Sequence, residues 1–206
     1  MKGIFIAALL AIVAYSSPAV AAELAPDALA RSVTDEVLAI VRADKELAAG
    51  HPQKVSQLVE TKVLPHFNFQ RMTQLAVGRN WRQATPDQQK ALTDEFRTLL
   101  VRTYTAAFST YRNQTVDYRP LRMLPTDTDV VVKSLIKQPS GQPVAVDYSM
   151  EKLAGGWKVY DVKIEGISLV ENYRNTFNAE IQRTGVEGLI KVLADKNKSL
   201  ATQASR

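Results

Sequence analysis

The apolar residues of this chain change period near residue 113, and that change limits the architectures open to it. Before it they recur three and four positions apart: Leu29, Val33, Val37, Leu38, Ile40 and Val41 in one segment, and Leu92, Phe96, Leu99, Leu100, Tyr104, Ala107, Phe108 and Tyr111 in another. That spacing marks one face of a helix. After it they alternate. Segments 116–124, 129–137, 143–152 and 157–165 read as strands, with Pro139-Ser140-Gly141 and Gly155-Gly156 as turns between neighbours. Connections this short imply antiparallel pairing, because a parallel crossover needs about a dozen residues. Val144, Val146, Tyr148 and Met150 share one face of their strand, while Ala145, Asp147, Ser149 and Glu151 share the other. One side of the sheet is therefore apolar and needs a cover. Beyond Gly166 the helical period returns through Val170, Tyr173, Phe177 and Ile181. Helices, an antiparallel meander of four strands, then helices again predict an α+β arrangement.

Local signals set the expected helix limits. A first helix spans 26–44, and Gly50-His51-Pro52 interrupts. A second, through Val55, Leu58, Val59 and Val63, ends before Pro65, and a third covers 68–77 with Gly78 as its stop. Thr85, Pro86 and Gln88 form a T-x-x-Q capping box with proline at the first helical position. Gly185 and Gly188 bracket a break before a short final helix carrying Leu189, Ile190 and Leu193.

The N-terminus reads as a leader. Lys2 precedes an apolar run over 4–13 that is too short to span a bilayer, and Pro18-Ala19-Val20-Ala21-Ala22 offers small residues for cleavage. A secretory signal peptide over 1–22 is expected. The remaining 23–206 is expected to form one exported, soluble domain: helices mainly over 23–112, sheet over 113–166, C-terminal helices over 167–206.

The chain has no cysteine, which excludes disulfides, thiol catalysis and thiolate metal sites. Its histidines are His51 and His66, each beside a proline, and they form no metal-ligand pattern; no metal is expected. The net charge of +5 is spread over scattered lysines and arginines. That suits a solvated surface, or attraction to anionic headgroups or an acidic partner. No nucleic-acid-binding motif is present.

Two residues raise the question of catalysis. Gly166-Ile167-Ser168-Leu169-Val170 comes close to the G-x-S-x-G nucleophile elbow. The last glycine is missing, the sheet is antiparallel, and no histidine follows Ser168. Ser168 and Glu171 instead form an S-x-x-E capping box at the start of a helix. Asp161, among Val159, Tyr160 and Val162, is either a buried general acid or base or a structural acceptor. No second acid or histidine is placed beside it by spacing, which favours the structural role.

Three stretches carry a resemblance: "PHFNFQRMTQLAVGRNWRQATPDQQKALTDEFRTLLVRTYTAAF" at 65–108, "WKVYDVKIEGISLVENYRNTF" at 157–177 and "GVEGLIKVLADK" at 185–196. They resemble the MlaC, or toluene-tolerance, family of periplasmic phospholipid-transport proteins. Asn68 departs from the aspartate expected in many members. The resemblance implies a curved, four- to five-strand NTF2-like sheet with helices, enclosing an apolar cavity for the acyl tails of a phospholipid. It implies a periplasmic carrier that maintains outer-membrane lipid asymmetry. Its partners would be an outer-membrane lipoprotein–porin complex and an inner-membrane ABC transporter complex. It implies no enzymatic activity and no cofactor beyond the lipid cargo.

The candidate pocket residues are apolar positions on elements that would face one another. They are Phe96, Leu100, Tyr104 and Phe108, then Val132, Val144, Val146, Tyr148 and Val162, then Val170, Tyr173 and Phe177. Arg79 and Arg82, beside Trp81, are the candidates for a phosphate at the mouth. Two other readings use the same residues. One is an NTF2-like isomerase or hydratase acting on a small apolar substrate, with Asp161 as its acid or base. The other is an adapter whose aromatics only fill a core.

Overall fold

A computed structural model describes residues 23–108, 114–139 and 141–204. The expected leader at 1–22, Ser140 of the turn signal and the Phe108 side chain lie outside the described residues. Helices α1 (Pro26–Ala43), α2 (Lys45–Ala48), α3 (Pro52–Leu58), α4 (Phe69–Val77) and α5 (Pro86–Phe108) come first. Strands β1 (Thr115–Tyr118), β2 (Asp129–Lys137), β3 (Val144–Leu153), β4 (Gly156–Ile164) and β5 (Ile167–Ser168) follow, and α6 (Leu169–Ala204) closes the chain. The strands form one sheet in sequence order, every pair antiparallel. The α+β class and the meander stand as the alternating pattern implied.

Local chemistry explains the helix ends. Thr85 Oγ1 accepts the Gln88 N–H at 3.2 Å and Gln88 Oε1 accepts the Thr85 N–H at 3.1 Å, so the capping box is complete. Asn68 Oδ1 accepts the Arg71 N–H at 3.1 Å at the start of α4. Its amide group donates to Glu151 at 2.8 Å. An aspartate here could cap equally well but would face Glu151 with like charge, so the asparagine suits its neighbour. Gly185 sits at φ 76° and ψ −179° and breaks α6 into two helical pieces.

Four elements differ from expectation, the last helical piece among them: Gly188 lies within it, and after Gly185 it runs on to Ala204 rather than being short. The first strand stops at Tyr118 rather than residue 124, because Pro120 has no N–H to give the ladder. The helix expected through Val63 ends at Leu58 and continues as a π-helical turn over Val59–Val63. The meander gains a fifth strand of two residues, Ile167–Ser168.

The β3–β4 register slips between Ser149 and Met150. Ser149 faces Asp161 and Met150 faces Val159, so Tyr160 is the extra residue of a bulge. A bulge bends its strand and increases the local twist, and so curves the sheet. Two main clusters of buried side chains result. One joins α4, α5 and α6 around Met72, Phe96 and Phe177. The other lies on the inner face of the sheet around Val132, Met150 and Val162. A smaller cluster ties α1 to α2 and α3 through Leu47, Val55 and Leu58.

Candidate functional site

The inner face of the sheet and the N-terminal helices do not close on each other completely. A cavity of about 300 Å³ remains. Its floor is Val116 and Tyr118 of β1, Ile136 of β2, Val146, Tyr148 and Met150 of β3, and Val159, Val162 and Ile164 of β4. One row of α1 forms the opposite wall, with Leu29, Val33, Val37 and Val41 at helical spacing. Val59 and Val63 of the π-helical turn, and Leu100, Val101, Tyr104 and Thr105 of α5, complete the sides. Turns of this kind are frequent at functional sites, since they shift side chains out of the α-helical row.

The chemistry of the lining is uniform. Among the described residues that line it there is no aspartate, glutamate, lysine or arginine. The polar atoms are mostly satisfied within the wall. The Thr34 and Tyr118 hydroxyls lie 2.6 Å apart, and Tyr118 donates to the Ala30 carbonyl at 3.0 Å. Burial pushes the Tyr118 phenol above its ordinary pKa. His66 also lines the cavity, and burial, helped by Lys158 and opposed by Glu36, holds its pKa below the usual imidazole value, so the ring is neutral at neutral pH. The buried Thr105 hydroxyl finds no hydrogen-bond partner among the described residues. A volume with this lining favours hydrocarbon and offers nothing to compensate a buried charge.

The candidate residues read from the sequence fall into groups. Leu100, Tyr104, Val146, Tyr148 and Val162 line the cavity together. Phe96, Val170, Tyr173 and Phe177 pack in or against the cluster of α4, α5 and α6, where Phe96 meets Tyr173 and Phe177 edge-on at 5.1 Å each. Val132 and Val144 pack within the sheet cluster. Arg79 and Arg82 are exposed on the turn after α4 and are not among the lining residues. Sequence reasoning missed the α1 row and the π-helical turn. The signal was present in α1, whose apolar stripe exceeds what its small cluster with α2 and α3 uses.

The residues that raised the question of catalysis have structural partners. Ser168 Oγ accepts the Glu171 N–H at 3.0 Å. Buried Asp161 accepts the Val170 N–H at 3.2 Å through Oδ1. Both therefore satisfy amides at the N-terminus of α6, which would otherwise be orphaned. Glu171 is exposed and does not complete the expected box; Asp161 supplies the second acceptor.

A polar cluster holds α4 to the sheet. Arg71 pairs with Glu151 and with Asp129, and its guanidinium lies 3.7 Å from the centre of the Tyr160 ring. Tyr160 donates to Asp129 at 2.7 Å. Burial, reinforced by the hydrogen bond to Asp129 and its charge, pushes the phenol up to about 12. Among the described residues no group of three acidic or histidine side chains could hold a metal, and no helix is long and apolar enough to cross a membrane.

Comparison with known proteins gives consistent results. A family model described as MlaC protein matches residues 31–195. The chain is 22% identical over 172 residues to an intermembrane phospholipid transport system binding protein, MlaC, of Haemophilus influenzae, covering 82% of this chain and 80% of that one. It is 25% identical over 161 residues to the toluene tolerance protein ttg2D of Pseudomonas putida, covering 78% and 74%. A solved structure of a phospholipid-binding protein from Ralstonia solanacearum in complex with a phospholipid is 48% identical, with a TM-score of 0.79, covering 85% of this chain and 98% of that chain.

Proposed function

The chain belongs to the MlaC family, and from that premise we propose that it is a soluble periplasmic phospholipid carrier. In this reading a signal peptide over 1–22 is removed on export, and 23–206 works as one lipid-binding domain. It moves lipid between an outer-membrane lipoprotein–porin complex and an inner-membrane ABC transporter complex, and so maintains outer-membrane asymmetry. The observation that carries the reading is the charge-free cavity between α1 and the sheet. The relative with a bound phospholipid supports it.

The physics of the task calls for a lining of that kind. Each methylene removed from water is worth about 0.8 kcal/mol, so two tails with roughly thirty methylenes represent about 24 kcal/mol. Unshielded lipid therefore does not cross an aqueous gap at a useful rate. A carrier must offer the tails an environment close to that of the bilayer. We assign tail contacts to Leu100, Tyr104, Val146, Tyr148 and Val162, together with Val33 and Val37 of α1. No bond is made or broken in this task and no catalytic group is required. The role of Asp161 as an acceptor for the Val170 amide argues against using it as an acid or base.

The test is native mass spectrometry of the mature protein, purified from its own compartment without detergent, followed by lipid extraction. A bound mass matching diacyl phospholipid is expected. A bare protein with a lipid-free extract would overturn the carrier reading and leave the family membership as a statement about fold.

A further inference from the structure

After Tyr118 the chain lifts off the sheet. The Arg119 N–H still reaches the Lys133 carbonyl at 2.9 Å, but Pro120 ends the ladder. The lifted segment leaves a groove against β2, lined by Arg119, Pro120, Leu121, Arg122, Val131 and Lys133. Val131 and Lys133 are exposed and alternate with buried Val130, Val132 and Ser134. They therefore face away from the side of the sheet that floors the cavity.

Charge in the groove is one-sided. Tyr118 faces Ser134 in the ladder, so Arg119 stands opposite Lys133 at the next position. Like charges directly opposite each other destabilise a sheet. None of Arg119, Arg122 and Lys133 has an ion-pair partner among the described residues; of the nearby carboxylates, Asp117 is ion-paired and Asp127 keeps its charge at the far end of the same segment. Asp117 pairs with Lys137 at 2.5 Å, and Asp127 accepts the Leu124 N–H at 2.7 Å. Asp147 stands in register between Lys133 and Lys163, so that row of the outer face still carries a positive excess. Val131, 42% exposed, lines the same groove, and Leu124, 64% exposed, follows Arg122 by two positions on the lifted segment.

Unpaired cations with exposed apolar side chains next to them are the composition of an interfacial binding surface. A lipid surface supplies phosphates and an apolar layer together; an acidic protein also matches the charge and is an outcome of the test below. We propose that this groove docks the protein on an anionic lipid surface. Arg119, Arg122 and Lys133 meet the headgroup phosphates, and Leu124 and Val131 press into the acyl boundary. The surface is separate from the cavity and does not depend on what the cavity holds. It brings the protein to a membrane.

Flotation with vesicles of phosphatidylcholine, with and without phosphatidylglycerol, tests this at low and high salt. The mature protein is expected to float with the anionic vesicles at low salt and to leave them at high salt. At roughly 1 kcal/mol for each cation near the surface, R119S/R122S/K133S weakens partition roughly 100-fold. A control triple, K45S/K191S/K196S, removes equal charge from exposed positions elsewhere and is expected to change partition by less than about tenfold, the effect of net charge alone. L124S is expected to weaken partition onto the anionic vesicles at low salt as well. Relieving the Arg119–Lys133 repulsion keeps the groove variant folded, which its thermal melt checks. Equal loss in both triples, equal binding to neutral vesicles, or binding to polyglutamate with no binding to vesicles would each overturn the proposal. The last would assign the groove to an acidic protein. Lipid extracted from each variant reports the cavity separately.

Discussion

A side chain added to a true cavity and one added to a packed core should have opposite effects, and two valines test this. Val33 lines the cavity from α1 and belongs to none of the three hydrophobic clusters. Val77 ends α4, is fully buried and sits in the cluster of α4, α5 and α6. Valine and phenylalanine have similar helix propensities, so backbone cost does not separate the sites. In V77F the ring has no room, and overpacking is expected to cost about 1–3 kcal/mol. In V33F the ring enters the void and should leave the lipid-free protein as stable as before, or more stable. It adds about four carbons to the wall and displaces three or four lipid methylenes, which amounts to about 3 kcal/mol of tail burial and roughly a hundredfold loss in partition against a membrane. Urea unfolding of delipidated protein gives the first quantity, and lipid per protein after equilibration with vesicles gives the second. If V33F unfolds as easily as V77F and keeps its lipid, the void between α1 and the sheet is not the cargo site.

The caps of α6 make a related pair. S168A removes the acceptor for the Glu171 amide and is expected to cost about 1 kcal/mol in urea unfolding, with lipid content unchanged. D161A leaves the buried Val170 amide without its acceptor and should cost about 1–3 kcal/mol, whereas D161N keeps an acceptor oxygen and should keep the lipid; loss of function in folded D161N would revive an acid–base role. Tyr160 gives a pH dependence. Its phenol is raised from 10.0 to about 12 in the fold, so the stability it contributes is present below pH 10 and is lost as pH rises through 12. Y160F should flatten the fall in stability over that window, as read by denaturation at a series of alkaline pH values; an unchanged slope would place the titration elsewhere.

How much of this could be read in the sequence depends on distance along the chain. The Thr85 capping box, the cap at Ser168, the break at Gly185 and the antiparallel meander rest on residues within a few positions of one another, and they were legible. The early end of β1 is legible in Pro120, two residues past Tyr118. The Tyr160 bulge was not, because it depends on the register of β3 and β4, and alternation alone cannot show a slipped pair. The cavity was the hardest feature. Phe96 and Leu100 lie one helical turn apart on the same apolar stripe, yet Phe96 meets Tyr173 and Phe177 while Leu100 borders the void. Periodicity reports that a side chain faces inward, not whether another atom waits there. Asp161 shows the same limit, since its partner is an amide nine positions on, set by the turn through β5.

The absence of charge from the lining also bears on which lipids the protein selects. A phosphate drawn into this cavity would meet no cation among the described lining residues, and an unpaired buried ion costs several kcal/mol. The phosphate must therefore stay at the surface while the tails enter. There any ion pair it makes is solvent-exposed and worth at most about 1 kcal/mol, less than tenfold in preference. Tail volume, by contrast, counts at about 0.8 kcal/mol for each methylene left outside. The protein should then sort lipids by acyl length and largely ignore headgroup. The check is to load it from vesicles of mixed headgroup and mixed chain length and to analyse what it extracts. Headgroups should mirror the vesicles within about tenfold, and chain lengths should be skewed. Extraction of a single minor headgroup would mean that a charged contact outside the cavity dominates recognition, and the reasoning from the lining would fail.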